Sequence, residues 1–146
     1  MFVVDTNVLL HAVNSTSPHH AKARSLLEDW LTGPHVIHLT WGIVYEFLRV
    51  STHRAVFPKP LTFPQAMAFL AALTDNPRVE VLVETPEHGT RLKAAAREIP
   101  TVTGSRFHDL HTAVLMKEHG LFAIWTEDSD FHRFPGIRPT NPFAAK

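Results

Sequence analysis

Apolar residues in this chain occur in two patterns that alternate along its length. Short unbroken apolar runs are typical of strands buried on both faces, and apolar residues that recur every three or four positions are typical of helices. Strands that alternate with helices favour a parallel sheet covered by helices on both sides. The predicted strands are 2–4, 36–39, 79–83 and 121–125, with a fifth near Ile137.

Capping residues, glycines and prolines mark the ends of the predicted helices. A short helix should follow the first strand, and Thr6 or Asn7 is expected to cap it. Gly120 lies where a left-handed residue commonly follows a helix, so it predicts the end of a helix that runs through Lys117. Other helix starts are expected at Ser17-Pro18, Thr40, Thr62, Thr85-Pro86 and Ser105.

Length and composition narrow the class of protein. With 146 residues and no internal repeat or linker, residues 1–146 are predicted to form a single three-layer α/β/α domain around a parallel sheet of four or five strands. The absence of cysteine excludes disulfides and Cys-based zinc sites. No apolar run is long enough to cross a membrane, and the N-terminus lacks a basic signal region. We therefore expect a soluble cytoplasmic protein without a membrane partner.

Acidic residues end or interrupt apolar stretches at four places, namely Asp5, Glu46, Asp109 and the pair Asp128 and Asp130. Carboxylates are seldom buried unless they are paired or bind a metal. In the predicted sheet these elements meet at the edge where parallel strands end, which is where ligands bind. Several carboxylates without counter-charges repel one another, and a hard divalent cation such as Mg²⁺ or Mn²⁺ removes that repulsion. The pattern predicts a cation site suited to phosphate chemistry.

Four sequence blocks carry a resemblance to a known family, namely FVVDTNVLL, IVYEFLRV, FHDLHTAVLMKEHG and AIWTEDSDFHRFPGI. Together they resemble PIN-domain ribonucleases, and specifically VapC-type toxins of bacterial toxin–antitoxin pairs. The resemblance implies an endoribonuclease that depends on Mg²⁺ or Mn²⁺ and hydrolyses RNA phosphodiesters, leaving 5′-phosphate and 3′-hydroxyl ends. It also implies a homodimer and a small VapB-type antitoxin as partner. The RNA target, the identity and number of the ions and the antitoxin are left open.

The resemblance also assigns roles to individual residues. Asp128 and Asp130 compete for the last position of the acidic set, and Asp128 is favoured because it lies closer to the predicted end of the fourth strand. By the resemblance, the catalytic and metal-binding residues are Asp5, Glu46, Asp109 and Asp128, with Thr6, Asn7, Thr126 and Asp130 in support.

Basic and aromatic residues near the predicted edge are candidates for RNA contacts. The chain has 14 Lys and Arg and 14 Asp and Glu, so its net charge of zero argues against a generic polybasic binder but allows a local basic groove. Trp41, Trp125 and Phe107 are candidates for stacking on bases, with core packing as the alternative. The candidates for phosphate contacts, with solvated surface charge as the alternative, are Arg49, Arg54, Lys59 and Arg106.

Each acid also has an ordinary structural explanation. Asp5 could cap the helix that follows it, and Glu46 could form a solvated pair with Arg49 three residues on. Asp109 could complement the dipole of its helix from the first turn. The two aspartates of TEDSD could be turn residues.

Other functions are compatible with parts of the sequence. His108 and His111 suggest a zinc site, but the chain lacks both cysteine and an HExxH motif. A phosphatase with an aspartyl nucleophile fits a strand that ends in Asp5, but it usually needs a second acid where this chain has Asn7. A non-catalytic RNA- or protein-binding module on the same fold is the remaining alternative.

Overall fold

Five short strands form the centre of the structure, which describes residues 1–144 and is a computed structural model. In chain order they are β1 (Phe2–Val4), β2 (Ile37–Thr40), β3 (Val79–Leu82), β4 (Ala123–Trp125) and β5 (Arg138–Thr140). All neighbouring strands are parallel, in the order β3-β2-β1-β4-β5. Every residue of β1 and β2 is buried, so helices cover both faces of the sheet. The three-layer α/β/α prediction is confirmed, and the fifth strand is present.

Helices connect the strands and supply both outer layers. Within residues 1–144, none of them is both long enough and apolar enough to span a membrane. Helix α1 packs on α2 and α3, and α5 packs on α6. The helices are α1 (Thr6–Val13), α2 (His20–Thr32), α3 (Trp41–Ser51), α4 (Phe63–Thr74), α5 (His88–Glu98) and α6 (Arg106–Glu118), with a 3₁₀ helix at Ser129–Arg133.

Aromatic side chains anchor the helices to the sheet. Phe2 of β1 packs edge-on against Trp30 of α2, with ring centroids 5.0 Å apart. The ring of Trp125 lies 5.2 Å from that of Trp30 and 5.9 Å from that of Phe2. Such pairs add stability beyond the burial of their area. Trp125 therefore has the packing role that the sequence allowed as its alternative to base stacking.

Helix capping agrees with the sequence at two positions and differs at others. Thr40 and Thr62 cap α3 and α4, and Thr62 forms the predicted capping box with Gln65. The expected cap of α1 is wrong, because Asp5 rather than Thr6 or Asn7 is the N-cap residue and its carboxylate accepts the Thr6 N–H. Helices α2 and α5 begin at His20 and His88, two residues after the expected first helical residues Pro18 and Pro86. The reason is that Ser17 and Thr85 accept hydrogen bonds within the turns that precede the helices.

The topology brings distant residues to one edge of the sheet. Val4 of β1 is in register with Trp125 of β4, and the Asp5 N–H donates to the Trp125 carbonyl at 3.0 Å. Helix α3 begins directly after β2. Helix α6 leads back to the start of β4, so its first turn lies at the edge where β1 and β4 end. This is the edge at which open α/β sheets bind ligands.

Gly120 supports a stability prediction about the end of α6. Its φ of 68° is left-handed, and the Leu121 N–H donates to the Met116 carbonyl at 2.8 Å, as in a Schellman motif. A Cβ at Gly120 meets nothing within 4 Å, so Gly120→Ala should lower the free energy of unfolding by about 1–2 kcal/mol through backbone strain alone.

The matched control is Gly89→Ala in the first turn of α5, where there is also open space but φ is not positive. That change should raise the free energy of unfolding by about 0.4–1 kcal/mol. Urea unfolding of both variants measures the difference. Equal effects of the same sign would contradict the role of the left-handed conformation.

Candidate active site

An acidic cavity of about 200 Å³ opens at the edge where β1 and β4 end. Its wall combines residues from α1, α3, α6 and the segment after β4. Four of the predicted acids therefore reach one place, although up to 123 positions separate them along the chain. The lining residues of the acidic cavity are Asp5, Thr6, Asn7, Leu10, Glu46, Ser105, His108, Asp109 and Asp128.

Asp5 is the most constrained of the four acids. Its side chain is only 9% exposed. The Thr6 N–H donates to Oδ1 at 2.7 Å, whereas Oδ2 accepts from the Thr126 hydroxyl at 2.6 Å and from the Asn7 amide at 2.8 Å. Three donors from two strand ends therefore fix both the position and the orientation of the carboxylate.

Thr126 links Asp5 to the segment that carries Asp128. Its hydroxyl donates to Asp5 and accepts from the Asn7 amide at 2.9 Å and from the Asp128 N–H at 2.9 Å. Thr126 is buried and Asn7 is partly buried. Asn7 and Thr126 therefore lie directly behind Asp5. They fix the Asp5 carboxylate by hydrogen bonds and add no carboxylate of their own.

Glu46 has two partners, one on each oxygen. The Thr6 hydroxyl donates to Oε2 at 3.0 Å, which draws the side chain toward the acidic cavity. Arg49 donates to Oε1 at 3.4 Å, in the pair that the sequence allowed as an alternative. Both side chains of that pair are well exposed, and exposed pairs are weak. The contact with Arg49 therefore leaves Glu46 free to turn inward at low cost.

Burial and mutual repulsion hold protons on two of the acids. Burial raises the pKa of Asp5 to about 6, and the charges of Glu46 and Asp128 act in the same direction. Hydrogen bonds from Thr126 and Thr6 oppose this shift. For Asp109, burial and the neighbouring acids, Asp5 foremost, raise the pKa to about 7. Such shifts are typical of sites that bind or transfer charge.

Asp128 and Asp130 have different surroundings. Asp128 lines the acidic cavity, and its Oδ1 accepts the Asp130 N–H at 2.8 Å. Asp130 instead accepts from Arg106 at 2.8 Å and lies 3.2 Å from the Arg133 Nε. The hydrogen bond from Arg106, aided by the charges of both arginines, lowers the pKa of Asp130. Because its charge is already matched, Asp130 is the poorer candidate for a ligand.

The predicted histidine and arginine contacts do not all reach the acidic cavity. His108 lines it, but His111 pairs with Glu84 at 3.0 Å, so the two histidines do not converge on one ion. Arg106 is engaged with Asp130. Arg54 and Lys59 are exposed on the loop after α3 and are not part of the cavity wall, whereas Arg49 lies one turn beyond Glu46.

The donor atoms of the acidic cavity suit a hard divalent cation. All four acids offer carboxylate oxygens, which Mg²⁺ and Mn²⁺ prefer. Burial first, and the neighbouring carboxylates second, raise the pKa of Asp5 and Asp109, and a bound cation would offset both effects. Within residues 1–144 no three His, Asp or Glu side chains already form a cage for an ion. Glu46 is held by Thr6 and Arg49, and Asp128 caps the 3₁₀ helix. The donor atoms of these residues therefore fit a hard divalent cation in their chemistry.

A larger cavity of about 460 Å³ lies elsewhere, between α1, α2 and α4. Arg24 and Glu28 are its only charged lining residues, and the rest of its wall is almost entirely apolar. It offers no cluster of carboxylates, so it is not suited to holding a divalent cation. The smaller acidic cavity is therefore the candidate for catalysis.

One residue that the sequence analysis overlooked lies beside the acidic cavity. Tyr45 precedes Glu46 on α3 and is 69% exposed, although the apolar character of this stretch suggests that it packs inward. A signal was available in the spacing, because Tyr45 is one turn from both Gly42 and Arg49 on a single helix face. Leu10 and Ser105 also line the acidic cavity without having been singled out.

Comparisons with known proteins agree with this geometry. A sequence model of the PIN domain matches residues 2–137. Ribonuclease VapC37 of Mycobacterium tuberculosis is 36% identical over 144 residues, which cover 97% of each chain. Ribonuclease VapC48 of the same species is 34% identical over 140 residues, which cover 96% of each chain.

A solved structure is also similar in fold. In the crystal structure of VapBC2 from Rickettsia felis bound to a DNA fragment from their promoter, one chain matches with a TM-score of 0.66 and 17% identity, over 96% of this chain and 97% of that one. This chain therefore shares its fold, a parallel sheet covered by helices, with that structure. The chain belongs to the PIN domain family, and the resemblance to VapC-type proteins carried by the four sequence blocks is confirmed.

The raised pKa values predict how pH affects the metal-free protein. The pKa of Asp5 and of Asp109 is near 3.8 in the unfolded chain, whereas in the folded protein the pKa is about 6 for Asp5 and about 7 for Asp109. The folded state therefore binds more protons in this range, so in EDTA these acids lower the free energy of unfolding as pH rises from about 4 to about 7. At pH 8 the free energy of unfolding of Asp109→Asn should be higher than that of the wild type by about 1–2 kcal/mol. The gain is limited to this range because solvent screens the half-buried group.

Urea unfolding in EDTA at about pH 5 and about pH 8 checks this expectation. The matched control is Asp29→Asn on the exposed face of α2, which should follow the wild type at both pH values. An Asp109→Asn variant that is less stable than the wild type at the higher pH would show that burial and the neighbouring acids do not disfavour the ionised Asp109 carboxylate as described.

Proposed function

We propose that this protein is an endoribonuclease that depends on Mg²⁺ or Mn²⁺ and acts as the toxin of a VapBC-type pair. The observation that carries the proposal is the meeting of Asp5, Glu46, Asp109 and Asp128 around one cavity, where the pKa values of Asp5 and Asp109 are raised. The ribonuclease class is supported by the names of the relatives that match nearly the whole chain. The cytoplasm is the compartment in which such an enzyme would meet cellular RNA.

The proposed roles follow from the contacts of each residue. Asp5, Glu46, Asp109 and Asp128 would hold the divalent ion. When bound, an ion of this kind polarises a phosphoryl oxygen and helps to deprotonate the attacking water. Asn7 and Thr126 fix the Asp5 carboxylate, and the Thr6 hydroxyl directs Glu46 inward.

The arrangement is less suited to a phosphatase with an aspartyl nucleophile. Both oxygens of Asp5 accept hydrogen bonds, and the side chain is almost fully buried. The position two residues on is Asn7, whose amide donates to Asp5 rather than offering a second acid. An oxygen held in this way is better placed to bind a cation than to attack a phosphate.

A VapB-type antitoxin is the proposed partner of this chain. The support is that its relatives are named VapC and that the similar crystal structure is of a VapBC complex. The homodimer expected from the resemblance is part of the same proposal. Size-exclusion chromatography with light scattering of the chain alone, and after coexpression with a candidate VapB-type antitoxin, tests both points.

The first experiment is cleavage of total bacterial RNA by the purified protein with Mg²⁺, with Mn²⁺ and with EDTA. We expect discrete fragments with 5′-phosphate ends in the presence of either ion and none in EDTA. Asp5→Asn should abolish cleavage, because an amide cannot supply the same charge to a cation. Asp29→Asn, on the exposed surface of α2, serves as the matched control and should cleave as the wild type does.

Calorimetric titration with Mn²⁺ gives a readout that does not depend on activity. The wild type should bind Mn²⁺, and Asp5→Asn should bind it more weakly while circular dichroism shows that it remains folded. Cleavage that persists in EDTA, or a wild type that binds the ion and cuts no RNA, would count against the proposed function.

Asp128→Asn and Asp130→Asn form a matched pair that tests the choice of the fourth ligand. Asp128→Asn should lower the cleavage rate by at least about 10-fold to 100-fold, the loss typical of groups that only support a ligand. Asp130→Asn should retain most of the activity, because Asp130 faces Arg106 and Arg133. Rates measured with a fixed Mg²⁺ concentration decide the matter, and the reverse order would assign the ligand to Asp130.

A further inference from the structure

Another cavity, of about 340 Å³, adjoins the acidic cavity, and we name it the α3–α6 notch. It lies between the outer face of α3 and the first turn of α6. Glu46 and His108 line both cavities, so the two spaces adjoin each other at these side chains. The lining residues of the notch are Gly42, Tyr45, Glu46, Arg49 and His108.

The wall of the notch has a composition that core packing does not explain. Tyr45 is the only tyrosine of the chain and is 69% exposed. Gly42, Tyr45, Glu46 and Arg49 lie about one turn apart on the same face of α3. An aromatic ring, a carboxylate and a guanidinium therefore line the notch together, and the carboxylate of Glu46 also lines the acidic cavity. Trp41, one turn before Tyr45, is also 50% exposed.

We propose that the α3–α6 notch takes one unpaired base of the RNA strand, stacked on the ring of Tyr45, beside the phosphodiester that enters the acidic cavity. The inference rests on the proposed ribonuclease function and deepens it. Proteins that recognise single-stranded RNA commonly stack its bases on exposed aromatic rings. In a duplex the faces of each base are covered by the bases stacked above and below it, so they cannot stack on Tyr45. The notch therefore selects unpaired RNA.

Arg49 completes the match to a nucleotide. Its guanidinium is 67% exposed and contacts Glu46 at 3.4 Å, a weak pair that can open at low cost. An arginine released from that pair can bind a phosphate oxygen with a planar pair of donors. A cation and an aromatic ring next to an acidic cavity suit a strand that carries both phosphate and bases. An apolar peptide would leave the Arg49 and Glu46 charges unmatched.

This subsite would select single-stranded over paired RNA, but it would discriminate little between the four bases. Stacking tolerates any base, because every base has a π-face. The cut is therefore expected next to an unpaired position, in a loop or a single-stranded end, with sequence preference coming from other contacts.

Binding of a fluorescein-labelled decamer of adenylate RNA tests the subsite, measured by anisotropy with Ca²⁺ and checked on a gel for intact strand. Tyr45→Ala should weaken binding roughly 5-fold to 150-fold, the range expected for one stacked base. Tyr45→Phe keeps the ring and should bind as the wild type does. The matched control is Phe122→Ala, an exposed aromatic residue that precedes β4 at the opposite edge of the sheet.

A series of decamers with a single abasic ribose separates stacking from general damage. One abasic position should weaken binding to the wild type and have little further effect on Tyr45→Ala, because the base and the ring are lost together. Equal abasic effects in both proteins, or a Tyr45→Ala variant that binds the intact decamer normally, would overturn the inference. Unchanged RNA binding with weakened binding of a coexpressed antitoxin would also overturn it and assign Tyr45 to a protein contact.

The same variants distinguish this inference from the proposed function. If the wild type cleaves RNA with Mg²⁺ and Tyr45→Ala cleaves equally well at the same sites, the ribonuclease proposal stands and the subsite is wrong. If the wild type neither binds nor cleaves RNA under any condition, the proposed function fails and the subsite fails with it. Tyr45 is largely exposed, so Tyr45→Ala should fold normally.

Discussion

The pairing of β1 with β4 is the constraint on which the rest of the site depends. It places the Asp5 N–H 3.0 Å from the Trp125 carbonyl, and the Thr126 hydroxyl 2.6 Å from the Asp5 carboxylate. Once these two strand ends are joined, Asn7 and Asp128 are drawn into the same network through Thr126. A backbone register between two short strands therefore sets the geometry of the acidic cavity.

The acidic cavity is held together against its own electrostatics. Burial and like charges raise the pKa of Asp5 and Asp109. In the metal-free protein, ionisation of these two groups therefore lowers the free energy of unfolding. The opposing energy is supplied by the apolar packing around the sheet, including the cluster of Phe2, Trp30 and Trp125. Instability of this kind is common where a fold supports chemistry. The same charges that weaken the protein would attract the proposed cation.

Local patterns in the sequence predicted the sheet and several helix ends, since Thr40 and Thr62 cap their helices through bonds to residues three positions away. The predicted cap of α1 was wrong because the Thr6 hydroxyl donates to Glu46 instead. Glu46 lies 40 residues further along the chain, so no local sequence rule reveals this partner. The meeting of the four acids followed from topology, because parallel strands end at one edge. The different surroundings of Asp128 and Asp130 could not be predicted from topology, because the ion pair between Asp130 and Arg106 depends on tertiary packing.

The separation of Asp5 and Thr126 along the chain also bears on when the site can exist. Their side chains touch although 121 positions lie between them, so the contact is strongly non-local. Chains fold during synthesis from the N-terminus, and non-local pairing comes after the intervening segment is made. A ribosome that is still translating the helix before β4 therefore carries a nascent chain without an assembled acidic cavity. Any partner that must restrain this protein has until the last strands emerge to reach it.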